Sequence, residues 1–158
     1  MKNPKLATSS DLGRLSAEMR AAGRVLVFTN GCFDLLHVGH VRYLQAAAKE
    51  GDRLVVAVND DGSAAALKGP CRPVIAAADR AELVAGLRDV DYVVVFSEPN
   101  VESLLRLLQP DVHCKGTDYT IDTVPERAVV SAYGGRTAIV VDAKEHSTGA
   151  LVARLTRG

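Results

Sequence analysis

The sequence has no excess charge of either sign. Its 158 residues contain 19 basic and 19 acidic side chains, which gives a formal net charge of zero. Proteins that bind nucleic acid or a membrane surface usually carry a basic excess, so we expect neither as a partner. Hydrophobic residues make up 47% of the chain and charged residues 24%, which is ordinary for a globular protein. The length suits one domain with a substantial core, and we expect that domain to span residues 1–158.

Paired cysteines and long apolar runs are also missing. The three cysteines, Cys32, Cys71 and Cys114, form no CxxC pair, which argues against a disulfide framework and a structural zinc site. Residues 1–10 are polar and contain no apolar run that could act as a secretion signal. The longest apolar stretches, residues 55–58 and 92–96, have the length of strands and not of membrane spans. These features predict a protein of the reducing cytoplasm.

Short valine-rich runs alternate along the chain with longer helical patterns. The run RVLVFT at residues 24–29 is almost continuously apolar, which is typical of a strand covered on both faces. Further strands are predicted at 53–59, 92–96, 111–115 and 137–141, and helices at 38–50, 76–88, 101–109, 125–133 and 147–155. This rhythm predicts an α/β fold, a Rossmann-like doubly wound parallel five-stranded sheet with helices on both faces. An extra helix at 10–22 lies in an N-terminal extension (residues 1–23), and the Gly- and Pro-rich stretch 68–74 is predicted to be a loop.

Two histidines follow the first predicted strand, in the stretch TNGCFDLLHVGH (residues 29–40). His37 and His40 are three residues apart where a loop enters a helix, so both imidazoles can face the same side. Backbone N–H groups and the helix dipole favour a phosphate there, and Gly39 leaves room for a nucleotide against the backbone. Two alternatives are less favoured: the rings only cap the helix or pack beneath a loop, or they bind zinc, for which no third or fourth ligand is obvious nearby.

The stretch 29–40 resembles the HxGH signature of the cytidylyltransferase-like nucleotidylyltransferases, and the similarity extends in order and spacing over residues 25–155. Within that family the chain is most similar to the members that make ADP-heptose from ATP and D-glycero-β-D-manno-heptose 1-phosphate. The supporting stretches are LKGPCRPV (67–74), ADRAELVAGLRDVDYVVVF (78–96), PDVHCKGTDYT (110–120), PERAVVSAYGG (125–135) and HSTGALV (146–152).

The resemblance implies a transfer of AMP from ATP to a sugar 1-phosphate, with release of pyrophosphate. It also implies Mg²⁺ held mostly by substrate and water, with no protein metal ligands, and a homo-oligomer, either a dimer or a tetramer. The implied catalytic residues, which contact the triphosphate, are His37, His40 and Lys68. The implied nucleotide-binding residues are Asn30, Cys32, Phe33, Gly39, Lys115, Gly116, Ser147 and Thr148. The implied acceptor-binding residues are Asp34, Arg72 and Asp118.

Several alternatives stay open for single residues. Asp34 has the chemistry of a helix cap, and Asp118 that of a turn carboxylate. Thr117 departs from the KGGDY pattern of the family, and Gly149 replaces a second threonine often found there. Other residues with a structural interpretation are Ser147 and Thr148 as caps, Arg88 as a charge at a helix C-terminus, and His113 and His146 as structural or surface residues.

Other functions are also compatible with the sequence. This chain could instead use glycerol 3-phosphate with CTP, or pantetheine phosphate with ATP. The first alternative is disfavoured because no arginine precedes the Ser–Thr pair, as it does in the glycerol-phosphate cytidylyltransferases. A non-catalytic nucleotide-binding module is the alternative from another class. A dinucleotide-binding dehydrogenase is disfavoured because the first turn lacks GxGxxG.

Overall fold

The computed structural model describes residues 3–140 and 147–157. In these ranges, five strands form one parallel sheet in the order β3-β2-β1-β4-β5. The strands are β1 (Leu26–Gly31), β2 (Arg53–Asn59), β3 (Tyr92–Phe96), β4 (Val112–Lys115) and β5 (Arg136–Ile139). The predicted α/β class and the five-stranded parallel sheet are therefore confirmed. Val141, which ends the predicted fifth strand, and His146 lie outside the described residues.

Helices cover both faces of the sheet. They are α1 (Ser9–Ala21), α2 (Val38–Ala48), α3 (Asp61–Lys68), α4 (Ala77–Ala85), α5 (Glu102–Leu108), α6 (Arg127–Ala132) and α7 (Thr148–Leu155), with a 3₁₀ turn at Ile121–Thr123. The helix α3 and the 3₁₀ turn are absent from the sequence prediction. Lys68 was predicted to lie in a loop, but it is the last residue of a helix. Asp60 starts α3 by accepting a hydrogen bond from the Ser63 N–H, a standard N-cap.

The strand order places a topological switch point at β1. From β1 the chain moves outward to β2 and β3, then returns to β4 on the other side of β1 and continues to β5. Ligands of open parallel sheets bind beyond the carboxyl ends of the strands at such a point. The loops after β1 and β4 therefore define where a ligand is expected.

Two apolar layers fill the space between the sheet and the helices. Val27 of β1 belongs to the layer beneath α2 and α4, and its neighbour Phe28 to the layer beneath α1 and α5. The N-terminal extension packs into the second layer, where Ser16 Oγ donates a hydrogen bond to the Leu108 carbonyl. Just before α1, the Ala7 N–H binds the Val93 carbonyl, so the extension covers part of the outer edge of β3, a position that proteins commonly protect.

Among the described residues, none of the helices combines the length and apolar character that a bilayer crossing demands.

Candidate active site

The start of α2 is built by its two histidines. His37 is the N-cap, and its Nδ1 accepts a hydrogen bond from the Gly39 N–H at 3.1 Å. His40 Nδ1 accepts in turn from the His37 N–H at 3.2 Å. The two ring centroids lie 4.0 Å apart. The capping alternative that the sequence left open is thus observed, and it holds the two imidazoles side by side.

The caps also determine where each neutral ring carries its proton. A backbone N–H can only donate, so each Nδ1 must accept and the proton of the neutral ring lies on Nε2. The pKa of His40 is lowered from 6.5 to about 4, chiefly by burial and then by the charges of His37 and Lys68, against a smaller opposing effect of Asp34. At neutral pH, His40 is therefore a neutral ring with an Nε2–H donor.

Phe33 and Cys32 line the base of this loop. Both side chains are buried, and the Phe33 ring lies 5.6 Å from the His40 ring. A Cβ built on Gly31 would lie 3.1 Å from the Phe33 ring, so the glycine leaves space for that aromatic side chain. The buried Phe33 ring therefore supports the His40 ring from the interior of the protein.

Asp34 binds a neighbouring loop and does not cap α2. Its carboxylate is 3% exposed and accepts from Arg72 Nε at 2.8 Å, the Val74 N–H at 3.0 Å and the Ile75 N–H at 3.1 Å. Burial alone would raise the pKa of Asp34, but these backbone and arginine contacts lower it below its ordinary value. The helix-cap interpretation of Asp34 is wrong, because His37 has that position. Two of the three residues predicted to bind the acceptor substrate, Asp34 and Arg72, thus form an ion pair.

Lys68, the last residue of α3, acts on this region through its charge. Its side chain is exposed, yet its charge helps to lower the pKa of His40. Burial raises the pKa of the Cys32 thiol, and the charge of Lys68 opposes that rise. A flexible ammonium in that position suits a mobile phosphate.

The helix α7 joins the same region from the end of the chain. Ser147 is its N-cap and accepts from the Ala150 N–H at 3.0 Å, and Thr148 Oγ1 donates to the Asp34 carbonyl at 2.9 Å. Ser147 therefore has the capping role that the sequence left open, whereas Thr148 anchors α7 to the loop after β1, a role that was not predicted. The anchor brings the N-terminal end of α7, with its unpaired N–H groups, against the loop that carries the histidines.

The carboxyl end of β4 has a buried polar cluster. Lys115 is 6% exposed, and its Nζ lies 3.0 Å from Asn30 Oδ1 and 3.4 Å from Glu126 Oε1. Burial lowers the pKa of Lys115, and Glu126 opposes that shift. The Lys115 ammonium lies 5.3 Å from the centroid of the Tyr119 ring. Lys115 and Asn30 thus contact each other inside the protein, while their predicted contacts with a nucleotide stay predictions.

His113 belongs to that cluster. Its side chain is fully buried and its Nε2 lies 3.2 Å from Asn30 Oδ1, so it is a structural residue and not a surface residue. The two remaining predicted residues, Gly116 and Asp118, follow β4, with Gly116 half-buried near Tyr43 and Asp118 exposed.

Acid should destabilise the protein through His113. Burial lowers the pKa of His113 from 6.5 to about 3, so the unfolded chain binds the proton more tightly. The His113 contribution is complete above pH 6.5 and is lost as the pH falls toward 3. On changing from pH 8 to pH 5, the wild type should lose about 2 kcal/mol more unfolding free energy than His113→Gln, which keeps a donor near Asn30. Urea unfolding at both pH values measures the difference, and equal losses in the two proteins would contradict the assignment.

Arg80 is the residue of this region that the sequence interpretation does not single out. It lies on α4 with a fully buried side chain and contacts the loop after β1, the loop before α4, and α3. The signal that could have found it is its spacing, since Arg80 shares a helix face with Val84 and Leu87 at i+4 and i+7. An arginine on an apolar face requires buried partners.

Metal binding by the protein itself has no support in the described residues. Across residues 3–140 and 147–157, no group of three or more His, Cys, Asp and Glu side chains is arranged to hold a metal ion.

The chain is similar in sequence and fold to known proteins. A family model described as cytidylyltransferase-like matches residues 28–154. The bifunctional proteins HldE of Ectopseudomonas mendocina and Geobacter sulfurreducens are 50% identical over 138 residues and 48% identical over 145 residues. These matches cover 87% and 92% of this chain, which spans 29% of the length of each relative.

A solved structure is also similar. The lipopolysaccharide core biosynthesis protein from Thermoplasma volcanium GSS1 has a TM-score of 0.67 and 29% sequence identity to this chain. The match covers 78% of this chain and 100% of that one. The likeness therefore includes most of the fold described above.

Proposed function

The chain belongs to the cytidylyltransferase-like family of nucleotidyltransferases, and from that premise we propose that it transfers AMP from MgATP to D-glycero-β-D-manno-heptose 1-phosphate. The products are ADP-heptose and pyrophosphate. The choice of acceptor is supported by the sequence similarity to ADP-heptose-forming members and by the HldE relatives. Because the chain spans 29% of those relatives, the proposal concerns the activity of this domain alone.

The paired histidines at the start of α2 carry the proposal. Their rings lie 4.0 Å apart and their Nδ1 atoms are occupied by backbone N–H groups, so both Nε2–H groups act as donors. Two preorganised donors beside a helix N-terminus suit a reaction in which negative charge grows on a phosphoryl group.

The reaction requires no covalent enzyme intermediate. An oxygen of the acceptor's phosphate attacks the α-phosphorus of ATP in line, a P–O bond forms, and the bond to the pyrophosphate oxygen breaks. The acceptor phosphate is already a competent nucleophile, so the protein contributes positioning and charge stabilisation. His40, neutral in the free protein because its pKa is about 4, donates a hydrogen bond that strengthens as charge develops. Lys68 adds a positive charge on the same side.

The other residues would divide between the two substrates. The N-terminal end of α7, with Ser147 and Thr148, is placed to bind nucleotide phosphates, and Arg72 is the candidate for the acceptor's phosphate. Asp118 is a candidate for a sugar hydroxyl. We place the reaction in the cytoplasm, where ATP is supplied, and propose that the partners are these small molecules and further copies of the chain in a dimer or tetramer.

A product assay tests the proposal. Purified protein is mixed with ATP, Mg²⁺ and heptose 1-phosphate, and the nucleotide sugar is identified by mass while pyrophosphate is measured. We expect ADP-heptose and pyrophosphate in equal amounts. Parallel reactions contain CTP with glycerol 3-phosphate, and ATP with pantetheine phosphate. If pyrophosphate were released only in one of these parallel reactions, the acceptor would be the one in that reaction and not heptose 1-phosphate. If the protein bound ATP but released no pyrophosphate with any acceptor, the non-catalytic module would be favoured.

A further inference from the structure

A single buried arginine connects three segments that border the active site. Arg80 is fully buried. Its Nε donates to the Ile75 carbonyl at 2.8 Å, its Nη1 to the Cys32 carbonyl, and its Nη2 to Asp61 Oδ1 at 2.9 Å. A buried guanidinium is costly unless its donors are satisfied. Here each nitrogen has an acceptor, and the three acceptors belong to different segments of the chain.

Two of these segments are also joined by Asp34. The loop between α3 and α4 (residues 69–76) has its Ile75 N–H bound by Asp34 and its Ile75 carbonyl bound by Arg80. Asp34 itself belongs to the loop after β1, and Arg80 contacts that same loop through the Cys32 carbonyl. Asp34 and Arg80 thus bind the N–H and the carbonyl of the same residue, Ile75. Together they hold the loop 69–76 against the loop that carries the histidines.

The joined loop carries Arg72, the candidate for the acceptor's phosphate. It directly follows Lys68, the last residue of α3, which is proposed to contact the triphosphate. The histidines that are proposed to bind the triphosphate lie at the end of the other loop. A misplacement of about 1 Å between two such groups can cost about 100-fold in rate.

We propose that Arg80 is a positioning residue for nucleotidyl transfer, which aligns the loop 69–76 with the histidine loop without contacting substrate. The inference rests on the proposed function. A lysine cannot replace Arg80 fully, because one ammonium does not reproduce a planar fork that binds three acceptors in fixed directions. The alignment acts on the acceptor relative to the α-phosphorus, so it affects turnover more than binding of the nucleotide.

The experiment compares Arg80→Met, Arg80→Lys and the matched control Arg106→Met, which changes an exposed arginine on α5. For Arg80→Met we expect a fall in kcat of about 100-fold, with the Kd of MgATP changed less than about threefold because the histidines and α7 remain. Arg80→Lys should recover part of kcat, and Arg106→Met should match the wild type.

Hydrogen exchange supplies a readout independent of activity. In Arg80→Met, the amides of Val74 and Ile75 should exchange faster, while those of β1 and β2 keep wild-type rates. If that variant does not fold, the same pattern in Arg80→Lys decides. A kcat within about threefold of wild type, or faster exchange spread evenly over the sheet, would overturn the proposal. An inactive wild type would refute the proposed function. The hydrogen exchange of the Val74 and Ile75 amides would still show whether Arg80 couples the two loops.

Discussion

Replacing His40 with asparagine should lower the rate of nucleotidyl transfer by about 10²–10³-fold and leave the stability of the protein nearly unchanged. The asparagine Oδ1 can take the place of Nδ1 and accept the hydrogen bond from the His37 N–H, so the cap of α2 is kept. The Nε2–H donor is lost. Initial rates of pyrophosphate release and thermal unfolding measure the two effects separately.

The complementary change, His40→Gln, separates the two roles of the ring. A glutamine amide can reach toward the place of Nε2 but leaves the His37 N–H without its acceptor, which should cost about 1 kcal/mol of unfolding free energy. Its transfer rate should exceed that of His40→Asn. Gln45→Ala, on an exposed position of the same helix, is the control and should keep both properties. If His40→Asn retained a rate within about threefold of wild type, the ring would be only a cap.

The second large effect is expected at Asp34. Replacement by alanine removes the acceptor of Arg72 Nε and of the Val74 and Ile75 N–H groups. Breaking a buried pair from one side typically costs about 3–5 kcal/mol, so the unfolding free energy should fall by about 3 kcal/mol, and transfer should be lost with the displaced loop. Asp122→Ala is the control, because the Asp122 side chain is 84% exposed and its loss should change stability by less than about 1 kcal/mol.

The pH dependence of that loss gives an independent check. The pKa of Asp34 is below its ordinary value of 3.8 in the folded protein, so its contribution is present above that value and is lost as the pH falls through the lowered folded pKa. Urea unfolding of the wild type and Asp34→Ala should therefore show a wide gap at pH 7 that narrows in strong acid. A gap that stayed constant over this range would mean that Asp34 contributes by packing and not by its charge.

The parts of the structure that depend on neighbouring residues could be predicted from the sequence. Apolar runs indicated the five strands, and the β–α rhythm indicated a parallel sheet. The pair His37–His40 could be placed at a helix start because its strand, loop and helix are contiguous. Capping by these residues was one of three interpretations, since the sequence does not show which ring nitrogen faces the backbone.

The parts that depend on distant residues could not be predicted. Arg80 contacts the Cys32 carbonyl 48 residues away in sequence, and Asp34 contacts Val74 40 residues away. Lys115, predicted to bind the nucleotide, contacts Asn30, which lies 85 residues away in sequence. Its burial therefore could not be predicted. Only Ala64 of the short helix α3 is buried. The helix therefore has no buried apolar stripe from which it could have been predicted.

The arrangement at the start of α2 explains how two histidines serve structure and chemistry together. The Nδ1 atoms satisfy backbone N–H groups that every helix leaves unpaired at its start. The same hydrogen bonds direct the Nε2–H groups of both rings outward from the cap. Fold and donor geometry therefore arise from one set of contacts, which is why asparagine and glutamine variants can distinguish them.

The most direct test is a crystal structure with Mg²⁺ and α,β-methylene-ATP, an analogue whose α–β bond cannot be cleaved. We predict that phosphate oxygens of the bound nucleotide lie about 3 Å from Nε2 of both His37 and His40, with the N-terminal end of α7 beside them. A nucleotide bound elsewhere on the protein, or phosphates out of hydrogen-bond distance of both rings, would contradict the account.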